Sequence, residues 1–135
     1  MMNAEPKNIK RRMLNNDPYK EKDLRIRTKA FALDIIRLFS SLPKTSVAQV
    51  LGKQLLRCGT SVGAQYREAT RSRSRAEFVS KIESALQELE ETTYWLDLLA
   101  ESGTIGHSHL EKLQKESDEL TAIFVSSAKT AKSSR

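Results

Sequence analysis

Between residues 78 and 99 the residues Phe78, Ile82, Ala85, Leu89, Leu96 and Leu99 recur in steps of three, four and seven, with Thr92 on the same line. That spacing puts every one of them on one side of an α-helix. Ser74 followed by Glu77 reads as a capping box at its start, and Gly103 stands where a helix of this length would stop. A helix buried along one side needs other elements to cover it. No stretch of the chain alternates as a half-buried strand does, so those elements are helices as well. The fold class predicted is all-α, an antiparallel up-down-up-down four-helix bundle.

The other three helices are legible in turn. From Asp23 the residues Leu24, Phe31, Ile35, Leu38 and Leu42 keep helical spacing until Pro43 ends the run, and Leu33 and Ile36 widen the apolar face enough to be covered on a second side. Ser46 with Gln49 reads as a capping box opening a second helix. Its inward positions are expected at Val47, Val50, Leu51, Gln54, Leu55, Cys58, Ser61, Val62 and Gln65, a slender and polar stripe. Gln54 and Gln65 there require partners, with a polar network to the third helix the simplest source. Gly59 and Gly63, one turn apart, cost helix propensity of roughly 1 kcal/mol each, which close backbone packing explains. Ser108 with Glu111 opens the fourth helix, with Leu110, Leu113, Leu120 and Phe124 inward. The domain organisation is then a mobile basic arm over 1–22, a bundle over 23–128 and a basic tail over 129–135.

At 135 residues the chain is one domain, long enough to bury about two thirds of its unfolded surface. One cysteine excludes an internal disulfide framework, and the N-terminal residues lack the apolar core of a signal peptide, so a cytoplasmic location is expected. No apolar run approaches the roughly 20 residues of a membrane span. The formal charge of +6 and pI near 9.6 favour anionic partners. The charge is uneven. Residues 1–30 carry nine Lys or Arg against four acids, residues 57–81 six against two, and residues 82–101 six acids and no base.

Candidate sites follow from that distribution. Arg67, Arg71, Arg73 and Arg75 straddle the end of the second helix and the start of the third; Arg67 and Arg71 share a face. Phosphate contact is one reading. Pairing with Glu68, Glu77 or the acidic third helix of a neighbouring subunit is the other. Lys10, Arg11 and Arg12 in the arm are placed to touch phosphates too, or simply to solubilise. Gly59, Ser61 and Gly63 spell G-x-S-x-G, followed by Asp97 and His107 in hydrolase order, yet that motif needs a strand-to-helix turn and here it falls inside a helix. His107 and His109, two apart, suit neither a helix face nor a zinc pair completed by Cys58. No arginine lies between residues 76 and 106 to complete a ribonuclease-like Arg–His spacing. Tyr94 and Trp95 read as packing anchors. Neither a catalytic residue nor a cofactor is expected.

With these residues in hand, the chain resembles the bacterial four-helix bundle family named for proteins encoded in 23S rRNA intervening sequences, also labelled ribosomal protein S23. The resemblance rests on QLLR at 54–57, TSVGAQ at 60–65, Glu68, EF at 77–78, YWLDLL at 94–99 and LPK at 42–44. It covers about residues 24–125, and Gln65 stands where Asn is usual. It implies a homopentameric barrel with a basic surface and no known enzymatic activity. A branch of the family, the accessory variability determinant of diversity-generating retroelements, binds nucleic acid and a reverse transcriptase. Two classes of function stay open: phosphate-mediated binding of structured RNA or DNA by the oligomer, and an assembly scaffold for a protein partner such as that reverse transcriptase.

Overall fold

The computed structural model describes residues 18–133. Four helices follow one another: α1 (Pro18–Ser41), α2 (Ser46–Thr70), α3 (Arg75–Glu101) and α4 (Glu111–Ser133), with a single 3-10 turn, His107–His109, leading into α4. Each packs on the next in the chain and a thinner α1–α4 contact closes the bundle. The connections are too short for anything but antiparallel neighbours, so the up-down-up-down bundle is the fold.

Helix α1 buries Leu24, Phe31, Ile35 and Leu38, and Leu42 just past its end, the five residues the spacing predicts, together with Thr28. The Thr28 hydroxyl donates to the Leu24 carbonyl at 2.7 Å, which satisfies it without a partner from outside the helix. The helix starts at Pro18 rather than Asp23. Proline is favoured in the first turn, where its missing N–H is an orphan anyway. The expected boundary between arm and bundle therefore moves back, and residues 1–17, with Lys10, Arg11 and Arg12, lie outside the described residues. At the other terminus α4 continues to Ser133 and buries Ala128 and Ala131. Most of the expected tail is its last turn.

Helix α2 departs furthest from expectation. Of its predicted inward residues, Leu55, Cys58 and Val62 are fully buried, whereas Val47 and Val50 are 57% and 62% exposed and Gln54 is exposed. The face that turns inward is instead Ala48, Gly52, Leu55, Cys58, Gly59, Val62, Tyr66 and Ala69. Small residues lead because α1 comes so close. A Cβ built on Gly59 would sit 2.8 Å from Ile35 Cγ1, and one on Gly52 only 2.5 Å from Leu42 Cδ1. Gly63 is looser, its nearest neighbour being Thr28 Oγ1 at 3.3 Å. The closest approach is thus at Gly52 and Gly59, not at Gly59 and Gly63. The helix cap is also one residue earlier than expected. Thr45 has extended backbone and accepts from the Ala48 N–H at 3.2 Å, and the ladder opens with Gln49 N–H to the Thr45 carbonyl. The Gln49 side chain turns back to the Pro43 carbonyl, so the Ser46–Gln49 box does not form.

Helix α3 is the spine. Phe78, Ile82, Ala85, Leu89, Thr92, Leu96 and Leu99 are all at 0% exposure. Ser74 caps it, accepting from the Glu77 N–H at 3.1 Å, and the chain leaves it through Gly103 at φ 72°, the left-handed region that glycine enters without a Cβ clash. The Gly103 N–H satisfies the Ala100 carbonyl and the Ile105 N–H the Leu99 carbonyl. At α4 the expected Ser108–Glu111 box is absent. The 3-10 turn winds through Ser108 and is closed by the backbone alone, His109 N–H to the Gly106 carbonyl and Leu110 N–H to the His107 carbonyl. Leu110, Leu113, Leu120 and Phe124 are buried as expected, and Phe124 stacks on Tyr66 across the core with centroids 5.5 Å apart. The polar link between α2 and α3 is not a glutamine network. The Thr92 hydroxyl meets Cys58 Sγ at 3.2 Å and the Glu88 carbonyl at 2.7 Å, while Gln65 Oε1 is buried without a partner.

Candidate nucleic-acid interface

Antiparallel packing gathers the start of α1, the end of α2, the start of α3 and the end of α4 at one end of the bundle. The α2–α3 turn is built by the alternation in Arg71-Ser72-Arg73-Ser74. Ser72 is buried and its N–H and hydroxyl close on the Ala69 and Glu68 carbonyls, while Ser74 caps α3. The serines hold the turn, and the arginines between them point to solvent. Arg67, Arg71 and Arg73 are exposed, and none of the three has a carboxylate within ion-pair distance among the described residues. Arg75 is half-buried and its Nε–H has no acceptor among the described residues.

Several of the acids that might have neutralised them are engaged elsewhere, and the Glu77 carboxylate forms no ion pair with them among the described residues. Glu68 accepts from Lys81 at 2.7 Å, Glu88 and Glu91 hold Arg57 at 3.4 and 2.7 Å, Glu83 holds Lys132 at 2.7 Å, and Asp97 accepts from Gln114. The Glu68 partner anchors the Lys81 ammonium and pushes its pKa up. Arg27 is likewise tied to Glu116 of α4, whose hydrogen bond raises the guanidinium pKa.

The structure adds residues to this end that the sequence motif does not contain. The Arg25 guanidinium donates to the Thr70 hydroxyl at 3.1 Å, which draws a charge of α1 to the last turn of α2. Lys29 and Arg67 flank a shallow groove floored by Gly63 and Ala64. The signal for Arg25 and Lys29 is topological: an antiparallel hairpin lays residues 23–30 beside residues 63–70. Divided across its middle, the bundle is electrically lopsided. Residues 23–30, 59–87 and 122–133 carry ten Lys or Arg against four Asp or Glu; residues 31–58 and 88–121 carry six against ten.

The remaining candidates are not brought together. Ser61 lies mid-helix with its hydroxyl on the Arg57 carbonyl at 2.7 Å, whereas His107 and His109 are exposed on the 3-10 turn at the opposite end. Burial pushes the Cys58 thiol up, against the opposing hydrogen bond with Thr92. Among the described residues no group of three or more His, Cys, Asp or Glu is placed to hold a metal ion, and no helix is long and apolar enough to cross a membrane. Trp95 packs on the core as an anchor, with Tyr94 edge-on to it at 5.1 Å and 57% exposed.

The fold and this surface define a class: an antiparallel helical bundle with one strongly basic end. The chain belongs to the 23S rRNA-intervening sequence protein family, whose model matches residues 21–126. Among solved structures it is similar to a crystal structure from Bacteroides thetaiotaomicron, described as a protein with unknown function from the S23 ribosomal protein family. The two are 36% identical over 82% of this chain and 98% of that chain, with a TM-score of 0.76. No curated protein matches.

Proposed function

We propose that the protein is a non-enzymatic, ring-forming bundle that holds structured RNA or DNA by its phosphates at the basic end. The observation that carries this reading is the trio Arg67, Arg71 and Arg73, exposed and without a carboxylate partner among the described residues, at the end where bases outnumber acids. Charge that is already paired gains little from a phosphate; unpaired guanidinium groups gain the full counterion-release term. The family's name links it to 23S rRNA, a polyanion of the kind this end attracts.

The ring is supported by two unlike apolar patches. Ile26, Leu33 and Ile36 are exposed on the outer side of α1, and Val47, Val50 and Tyr94 are exposed on α2 and α3. Two different patches suit a head-to-tail contact that closes on itself, whereas a two-fold dimer needs one self-complementary patch. Pentamer is the closure that the family resemblance implies. The same patches favour the second reading, an adaptor for a protein partner such as a reverse transcriptase.

The test is titration of labelled duplex and structured RNA against the wild type and a variant with Arg67, Arg71, Arg73 and Arg75 changed to Ala. If about four phosphates are neutralised, a fourfold rise in salt weakens wild-type binding by about 150-fold, and the variant binds more weakly with a shallower slope. Equal affinities, or a flat salt response, transfer the conclusion to the protein adaptor.

A further inference from the structure

Beside the exposed arginines runs a groove of about 730 Å³ between the first half of α3 and the last turn of α4. Grooves of roughly 300 to 1,000 Å³ are the size that takes one small molecule, and a single nucleotide is such a molecule. Its wall on α3 is Ser80, Ser84 and Gln87, residues in steps of four and three that share one side of the helix; Arg75 stands at one end and the Glu83–Lys132 pair spans to α4.

Two features mark this groove. Many serine and threonine hydroxyls in these helices fold back on the carbonyl one turn earlier, as Ser40, Thr60, Ser61, Thr121 and Ser127 do. Among the described residues Ser80 and Ser84 make no such bond, nor does the Gln87 amide have a partner. The Arg75 Nε–H is buried with no acceptor among the described residues, a donor already stripped of water. Donors and acceptors left free along a concave wall, with the Arg75 guanidinium at one end and the Glu83–Lys132 pair closing the other, fit a phosphate followed by a sugar and a base edge.

We infer that this groove seats one unpaired nucleotide of the bound strand, its phosphate against Arg75 and its sugar and base edge against Ser80, Ser84 and Gln87. This rests on the phosphate-binding reading above and narrows it to a substrate class. A duplex keeps its bases stacked inside and can enter only by flipping a nucleotide out, at a cost of unstacking. A single strand or loop enters freely. No aromatic residue lines the groove, so the selectivity comes from hydrogen bonding to hydroxyl and base-edge groups rather than from stacking.

The experiment compares a single-stranded oligouridylate of about twelve nucleotides, the deoxy strand of equal length and a blunt RNA duplex, at one fixed salt concentration. The proteins are wild type, a groove-filling variant carrying Ser80→Leu and Ser84→Leu, and the milder Gln87→Ala. Wild type is expected to favour a single strand over the duplex. The filled groove should lose about tenfold in single-strand affinity while duplex binding and its salt slope stay unchanged, and Gln87→Ala should lose about threefold, on the scale of single hydrogen bonds. A ribose preference that disappears in the filled variant assigns the sugar hydroxyl; equal loss for both strands assigns the phosphate and base. Unchanged single-strand affinity in both variants overturns the groove, even where the four-arginine variant still abolishes binding. Failure of the wild type to bind any of the three probes overturns the phosphate reading itself.

Discussion

Alanine at Gly59 and at Gly63 should have opposite effects, although both positions are mid-helix and one turn apart. Each substitution removes the helix penalty of glycine, a gain of about 1 kcal/mol. At Gly59 the new methyl would lie 2.8 Å from Ile35 Cγ1 and 3.1 Å from both Cδ1 and Cγ2. Ile35 is at 0% exposure, and a β-branched side chain held in one rotamer cannot swing aside. Overpacking of that kind costs about 1 to 3 kcal/mol, so the net is a loss of about 1 kcal/mol, or ~4 °C in melting temperature for a domain of this size. At Gly63 the methyl would meet Thr28 Oγ1 at 3.3 Å and the Thr28 carbonyl oxygen at 3.5 Å. Those are tight but nearly ordinary contacts, and the propensity gain should leave the variant about as stable as wild type or up to about 1 kcal/mol more so. Thermal and urea unfolding followed by circular dichroism measure both. Adding Ile35→Ala to Gly59→Ala should recover part of the loss that the single changes predict by addition, because the deleted atoms vacate the space the methyl needs. The reasoning fails if Gly59→Ala stabilises, if the two glycines respond alike, or if the double variant is simply additive.

Thr45→Ala and Ser74→Ala should each cost about 1 kcal/mol by removing the cap that accepts an N–H, whereas Ser46→Ala and Ser108→Ala should stay within about 0.5 kcal/mol; unfolding curves for the four variants check this. Cys58 should react with a thiol-specific dye at pH 8 only as fast as the chain unfolds, since burial keeps it protonated and covered. Because its folded pKa is raised, the associated stability is present below the ordinary thiol range of about 8.5 and declines as pH climbs above it, which Cys58→Ala should abolish in a pH series of melting temperatures. Light scattering on a sizing column should give a mass several times 15.3 kDa, and Leu33→Glu with Val50→Glu should reduce it to the monomer; a wild-type monomer at micromolar concentration refutes the ring.

The sequence was most legible where burial is achieved with large side chains. Five of the seven stripe residues of α3, and the run from Leu24 to Leu42 along α1 and just past its end, are leucine, isoleucine and phenylalanine, and their spacing alone identifies the inward side. Helix α2 misleads for the opposite reason. Its tightest contact uses glycine and alanine, which carry little hydrophobic signal, and the valines at 47 and 50 that do carry it sit on the outside. Caps fail in a related way: Thr45 and Ser46 are adjacent hydroxyls, and it is Thr45 whose backbone is extended and whose side chain takes the cap. At the basic end, the arginine-serine alternation is readable as a turn with outward charges. Arg25 is not, because it reaches that end only through the α1–α2 pairing and its bond to Thr70.

A bundle with ten bases at one end and four at most to answer them, and the reverse balance at the other, is a permanent electric dipole along its own long axis. Near a polyanion such a molecule experiences a torque as well as an attraction, and it is turned basic end first before any side chain touches. The acidic end is then held outward and remains free. In a ring whose subunits lie parallel, these dipoles add rather than cancel, so the assembly has two unlike faces. One such ring would adhere to cation and anion exchangers alike, each by a different face, despite its single net charge.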